Sequence, residues 1–224
     1  SLTPHILQVP HQAVSMILLG PGSSVTHDAL RLLARHGTLM AAVGQDGVRT
    51  YTAPPLLPDR SDVARRQAEL WGNPRRRISV ARHMYALRLG EILPHRDLDT
   101  LRGIEGSRVK AIYRLMAEKY GIEWSGRHYD RSKPEATDIP NQAINHAATA
   151  VQGAAAIAVQ SLAAIPQLGF IHEDSGQAFV LDIADLFRDS ITLQIAFMAA
   201  KKAINGDETT IDRLVRREAS TVFR

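Results

Sequence analysis

The 224-residue chain contains no cysteine, which excludes disulfides, thiolate zinc sites and cysteine nucleophiles. It also lacks long apolar stretches, because no run approaches the roughly 18 residues of a membrane-spanning helix. The first residues, Ser1-Leu2-Thr3-Pro4, do not show the basic-then-apolar pattern of a signal peptide. No Gly-x-Ser-x-Gly motif is present, which disfavours a serine hydrolase. We therefore expect a cytoplasmic protein without a membrane partner.

The order of patterns along the chain predicts an α+β protein in two parts. Short apolar runs at 13–19, 39–43 and 48–52, separated by glycine-containing turns, are typical of strands. The proline-rich stretch 53–60 interrupts this pattern and predicts a linker. Beyond it, helical periodicity is nearly continuous. We expect a small N-terminal β domain over 1–55 and a larger α-helical domain over 60–224.

Positive charge is concentrated in the middle of the chain. Residues 60–131 contain 16 lysines or arginines against nine aspartates or glutamates, whereas 132–224 contain eight bases and 11 acids. This distribution fits a surface that follows phosphates beside an acidic, metal-binding pocket. Taken alone, a basic stretch is more often a solvated helix face, so charge by itself leaves both interpretations open.

A carboxylate interrupts the apolar stripe of one predicted helix. At about 100° per residue, four apolar side chains project within roughly 40° of Glu105; they belong to Leu98, Leu101, Val109 and Ile112. An ionised acid on an inward face is costly unless a cation or hydrogen-bond donors compensate it. Two interpretations follow: a metal site that meets a polyanion, or a structural ion pair with Arg102 or Arg108 at three-residue spacing.

Three further residues could complete a metal site with Glu105. Asp182 and Asp185 lie three residues apart on one predicted helix face, and His172 precedes a tight turn. Carboxylates with one imidazole suit a hard cation, Mg²⁺ or Mn²⁺, rather than zinc. Singly, each has a plain alternative, such as a structural histidine or an acid in the first turn of a helix.

Several motifs together resemble the CRISPR-associated integrase family of spacer acquisition, most closely its type I-E branch. They are Leu101-Arg-Gly-Ile-Glu-Gly-Ser-Arg108, Gly169-Phe-Ile-His172, Phe179-Val-Leu-Asp-Ile-Ala-Asp185, Gly126-Arg-His-Tyr-Asp130 and Asn141-Gln-Ala-Ile144. Their order and spacing match over most of residues 10–200. Members of the family usually carry more strands before the segment that begins here at about Val9, and they continue past Arg224, so the resemblance implies an incomplete N-terminal domain.

The resemblance implies a metal-dependent DNA integrase and endonuclease. Its catalytic residues would be Glu105, His172, Asp182 and Asp185, with Glu105, His172 and Asp185 as ligands of Mg²⁺ or Mn²⁺ and Asp182 as a nearby acid needed for activity. His172 could instead act as an acid or base, which the sequence does not separate from ligation.

The same resemblance implies the partners and the reaction. Relatives form homodimers that flank a dimer of a small ferredoxin-like CRISPR-associated protein, and the assembly inserts captured double-stranded DNA into a repeat array. Five cations would contact DNA phosphates, namely Arg102, Arg108, Lys110, Arg127 and Arg131.

Two other functions remain as alternatives. A non-catalytic DNA-binding or scaffold subunit would keep the basic middle of the chain but show no metal-dependent reaction. A metal-independent ribonuclease would use the short pattern Arg31-x₄-His36, which is common and lies on a short predicted helix among the strands of the β domain.

Overall fold

The structure is a computed structural model that describes residues 9, 13–45, 49–52, 61–94, 97–128 and 137–223. The expected linker at 53–60 and Arg131 lie outside these residues. The fold is α+β, as predicted, and its elements run β1 (Met16–Leu19), α1 (His27–Arg35), β2 (Leu39–Val43), β3 (Thr50–Thr52), α2 (Asp62–Trp71), α3 (Pro74–Leu89), α4 (Leu98–Tyr120), α5 (Ile139–Ser161), α6 (Ala178–Leu186), α7 (Leu193–Ile204) and α8 (Ile211–Val222). None of the helices in the described part is long and apolar enough to span a bilayer.

The three strands form one small sheet in the order β1-β2-β3. β1 pairs with β2 in parallel, with Met16 opposite Leu39, because α1 carries the chain back between them. β2 pairs with β3 in the antiparallel direction expected of a hairpin, with an irregularity at Ala42 and Val43. The sheet meets the helices where Thr50 Oγ1 donates to the Gly153 carbonyl of α5 at 3.1 Å.

Capping residues account for the helix boundaries. Asn73 accepts hydrogen bonds from the first turn of α3, which has proline at its start. Asp97 accepts from the N–H of Thr100 at 2.8 Å and begins α4. α4 ends, as predicted, at Gly121, which has the left-handed φ of 59° that glycine adopts without a steric cost.

The helices enclose three apolar clusters that share members. α4, α5, α7 and α8 pack around the first, α3, α4 and the segment at 170–171 around the second, and α5 and α6 around the third. A short π-helical turn, Arg188–Thr192, joins α6 to α7. Because α4 and α6 border the second cluster, the predicted site residues on these helices come together beside it.

Candidate metal centre

A buried carboxylate holds His172. Asp182, in α6, is only 1% exposed. Its Oδ2 accepts from the backbone N–H groups of Phe170 and Ile171 at 2.5 and 3.1 Å, and its Oδ1 accepts from the N–H of His172 at 2.9 Å. The same Oδ1 lies 2.8 Å from Nδ1 of the His172 ring. Asp182 therefore sets both the backbone and the ring orientation of His172.

This contact leaves the other ring nitrogen of His172 for a different partner. With Asp182 accepting from Nδ1–H, Nε2 carries the lone pair that a metal ion needs. Nε2 lies 3.9 Å from Oδ2 of Asp185. That separation is too long for a hydrogen bond, and it is within roughly 1 Å of the spacing between adjacent ligands of an octahedral Mg²⁺ ion.

The neighbouring acids raise the pKa of His172 above its ordinary value of 6.5. The hydrogen bond to Asp182 contributes most, and burial opposes it. Because the pKa is raised in the folded protein, the imidazolium–Asp182 pair stabilises the fold below pH 6.5. This contribution is lost as the pH rises through the folded pKa.

We expect the His172 ring, in EDTA, to titrate with a midpoint above 6.5, and the midpoint to fall in Asp182→Asn. The reason is that an amide does not stabilise the imidazolium as a carboxylate does. Titration of the ring by NMR measures this, with Asp174→Asn, an exposed acid of the same loop, as the control. An unchanged midpoint in Asp182→Asn would contradict the assignment.

Glu105 and Asp185 each contact an arginine. Arg88 Nη1 donates to Oε1 of Glu105 at 2.6 Å, and Arg188 donates to Oδ1 of Asp185 from Nη2 at 2.5 Å and from Nε at 3.1 Å. The ion pair of Glu105 with Arg102 or Arg108, expected as the structural alternative, is therefore wrong. The partner comes from α3 instead, because α3 packs against α4.

The donor set fits a hard divalent cation. Glu105, Asp182 and Asp185 line one narrow cavity together with Tyr85 and Arg88. Two carboxylates and an imidazole nitrogen are ligands that Mg²⁺ and Mn²⁺ accept. Among the described residues, however, no three acids or histidines lie close enough to enclose an ion. The structure thus brings His172 and Asp185 together, and Asp185 lines the same cavity as Glu105, which is paired to Arg88.

Side chains from three helices hold the loop that carries His172. Gln67 and Trp71 of α2, Arg77 of α3 and Arg102 of α4 all donate to backbone carbonyls between Ile165 and Ile171. Arg77 also stacks over the Trp71 ring and pairs with Glu173 at 2.6 Å. Because its guanidinium contacts the Ile171 carbonyl and Glu173, Arg102 helps to position the loop, and its contact with DNA stays a prediction.

Gly169 lies where this loop meets the start of α6. A Cβ at this position would lie 2.5 Å from the His172 carbonyl oxygen and 2.7 Å from backbone and side-chain carbon atoms of Ala178. Since backbone atoms cannot move aside cheaply, we expect Gly169→Ala to lower the free energy of unfolding by about 1–3 kcal/mol. Gly176→Ala is the matched control, because a Cβ there meets nothing within 4 Å. Equal urea midpoints for the two variants would contradict this.

The other predicted DNA contacts have different surroundings. Arg108 pairs with Glu91 at the surface. Arg127 donates to Asn141 at 2.9 Å and to Asn145 at 2.5 Å, so it joins the segment that follows α4 to α5. Lys110 is exposed and shares a polar cavity with Arg127. Arg31 of the ribonuclease pattern pairs with Asp28 in α1 and does not line the acidic cavity.

Sequence reasoning missed Arg49, Arg88 and Arg188, whereas it predicted Arg127 as a DNA contact. Arg49, Arg127 and Arg188 line a polar cavity of about 500 Å³. The only local signal was for Arg188, which follows Asp185 at helical spacing. Arg88, the partner of Glu105, lies in a different helix and had no such signal.

Comparison with known proteins gives one consistent family. The family model described as CRISPR associated protein Cas1 matches residues 87–214, which include all the acids of the cavity. The chain is 39% identical over 219 residues to the CRISPR-associated endonuclease Cas1 of Clostridium sp. strain SY8519, covering 97% of this chain and 72% of that protein. The corresponding protein of Escherichia coli K12 is 40% identical over 217 residues, covering 96% and 70%. Among solved structures, the TtCas1–DNA complex superposes with a TM-score of 0.85 at 34% identity, covering 96% of this chain and 79% of that one.

Proposed function

The chain belongs to the CRISPR-associated Cas1 family, and from that premise we propose that it is a metal-dependent DNA endonuclease and integrase. Its reaction is the insertion of captured double-stranded DNA into a CRISPR repeat array. The similar Clostridium and Escherichia coli proteins are named endonucleases, and a similar structure contains DNA. We assign the chemistry to the helical part, 60–224, as a domain separate from the sheet in 1–55.

One observation carries the assignment. His172 is oriented through its Nδ1 by Asp182, and its Nε2 lies 3.9 Å from Asp185, which lines the same cavity as Glu105. A carboxylate that orients a ligating histidine is the usual support of a metal site. We therefore propose Glu105, His172 and Asp185 as ligands of Mg²⁺ or Mn²⁺, and Asp182 as the residue that positions His172.

The residues divide the chemistry between them. A bound Mg²⁺ or Mn²⁺ supplies stabilisation of the negative charge that develops on the phosphoryl group. Glu105, His172 and Asp185 would fix the position of that cation relative to the rest of the site. Strand transfer needs this defined geometry because the attacking 3′-hydroxyl and the leaving oxygen must be in line. Arg188, beside Asp185, adds positive charge where the phosphate approaches.

The arrangement of cations supports a path for DNA towards this cavity. Lys110, Arg114 and Arg127 line one polar cavity, and Arg127 also lines the larger one that reaches Arg49 and Arg188. Contacts of this kind neutralise phosphates and predict binding that weakens steeply with salt. We include Lys110, Arg108 and Arg127 in the DNA path, and we propose Arg102 and Arg131 as further DNA contacts on the family resemblance.

Family membership also supports an assembly. We propose a homodimer, of the type I-E branch, that acts with a dimer of a small ferredoxin-like CRISPR-associated protein. Another copy of this chain would supply the second catalytic centre that insertion at two strands needs.

Strand transfer is the direct test. A labelled duplex with 3′-hydroxyl ends is incubated with a repeat-containing plasmid, the small partner protein and Mg²⁺ or Mn²⁺, with and without EDTA. We expect joined products that EDTA abolishes. Duplex binding without transfer under either metal would instead favour a non-catalytic DNA-binding subunit, and RNA cleavage that persists in EDTA would favour the ribonuclease.

A further inference from the structure

Arg88 is a buried cation inside the candidate metal centre. Only 4% of its side chain is exposed, although it belongs to the last turn of α3. Its Nη1 donates to Glu105 at 2.6 Å, and its Nε lies 3.5 Å from Oδ2 of Asp189 in the π-helical turn. It therefore connects an acid of α4 to an acid that follows α6.

Stability alone is a weak explanation for this arrangement. Burying a guanidinium costs several kcal/mol, and apolar residues of similar size often give equal or greater stability than a buried ion pair. Arg88 is also incompletely paired, because its Nε and Nη2, together with Oδ1 of Asp189, lack hydrogen-bond partners among the described residues. A group that is costly and only partly satisfied at the edge of a reactive cavity points to a role in the site.

The three proposed metal ligands share one pattern of support. His172 is held at Nδ1 by Asp182, Asp185 at Oδ1 by Arg188, and Glu105 at Oε1 by Arg88. In each case the partner holds one atom of the ligand, which leaves Nε2, Oδ2 or Oε2 available to a cation. Arg88 thus holds Glu105 in the same way that Asp182 holds His172, through a contact to one atom of the proposed ligand.

We propose that Arg88 is a positioning residue that sets the Glu105 carboxylate for metal binding, and that Asp189 in turn orients Arg88. This inference rests on the proposed function, since it requires a cation at Glu105. It extends the site from the acids themselves to the end of α3 and the π-helical turn.

Whether removal of Arg88 weakens or tightens metal binding separates a positioning role from simple charge repulsion. A guanidinium repels a divalent cation, so by charge alone its removal should tighten metal binding. If Arg88 instead holds Glu105 in place, its removal weakens binding, and loss of such supporting contacts typically costs 10–100-fold in metal affinity. A purely structural role would change the melting temperature without changing the affinity of the folded protein.

Mn²⁺ binding to the full chain tests the inference, measured from the EPR signal of free Mn²⁺ in a titration without DNA. We expect Arg88→Met to raise the Kd by about 10–100-fold. Arg88→Lys, which keeps the charge but not the planar donor group, should give a smaller rise, and Asp189→Asn a smaller rise still. Arg82→Met is the matched control, because Arg82 is another α3 arginine whose side chain donates to the Leu93 carbonyl.

The outcomes distinguish this inference from the proposed function. Both would be overturned if the wild type bound no Mn²⁺, or if its Mn²⁺ site persisted in Glu105→Gln. A wild type that binds normally, beside a folded Arg88→Met with an equal or lower Kd, would overturn the inference alone. If Arg88→Met does not fold, unchanged affinity in both Arg88→Lys and Asp189→Asn would overturn it.

Discussion

Glu105→Gln is expected to reduce strand transfer by on the order of 10²–10³-fold, because an amide cannot supply the charge that binds the catalytic cation. The substitution keeps the size of the side chain and an oxygen that can accept from Arg88. In the wild type, Arg88 Nη1 lies 2.6 Å from Oε1 of Glu105. The fold should therefore persist, and duplex binding through the basic surfaces should change little. Initial rates of product formation measure the effect, beside a binding titration at the same salt concentration.

Glu91→Gln is the matched control for this variant. Glu91 is also paired with an arginine, Arg108, but at the surface, where ion pairs contribute only about 0–1 kcal/mol. We expect strand transfer by Glu91→Gln to stay near the wild-type rate. Comparable rates for Glu105→Gln and the wild type would show that Glu105 does not hold the cation.

Asp182→Ala is expected to lower the free energy of unfolding by about 4 kcal/mol. The substitution removes the acceptor of three backbone N–H groups, those of Phe170, Ile171 and His172, and each buried donor left without a partner costs about 1–3 kcal/mol. Entry of water into the space lowers the total below the sum of three such costs. Urea unfolding measures the change, and Asp182→Asn should lie between Asp182→Ala and the wild type.

The exposed acid Asp174, in the loop that follows His172, gives the comparison for Asp182. Surface substitutions of this kind usually change stability by less than about 0.5 kcal/mol, so Asp174→Ala should unfold close to the wild type. If Asp182→Ala also remained within that range, the carboxylate would not be the main support of the loop. Loss of metal binding without loss of stability would then place Asp182 among the ligands.

The local elements of the fold could be predicted from the sequence with good accuracy. The strand at Leu39–Val43, the helix start after Asn73 and the helix end at Gly121 all lie where the patterns place them. Each depends on neighbouring residues alone: an apolar run, a capping side chain, a glycine with left-handed φ. The inward position of Glu105 is also confirmed, since Leu101 and Val109 on its stripe are buried.

Helical spacing alone did not separate the roles of the two acids, which only the family resemblance implied. Asp182 and Asp185 are equivalent by spacing, yet one is buried beneath the His172 loop and the other faces its ring nitrogen. What separates them is the path of the loop, which Gln67, Trp71 and Arg77 set from helices about 100 residues earlier. Such contacts leave no periodic signal.

The sequence by itself determined the kinds of groups available here: no thiolate, several carboxylates and His172 in matching motifs, and a basic middle. Only the tertiary structure decided how they pair. Glu105 meets Arg88 rather than the arginines beside it in α4, and Arg102 donates to the Ile171 carbonyl. The physical reason is that helical periodicity specifies which face a residue occupies, whereas the partner it meets depends on how separate helices pack around the shared apolar clusters.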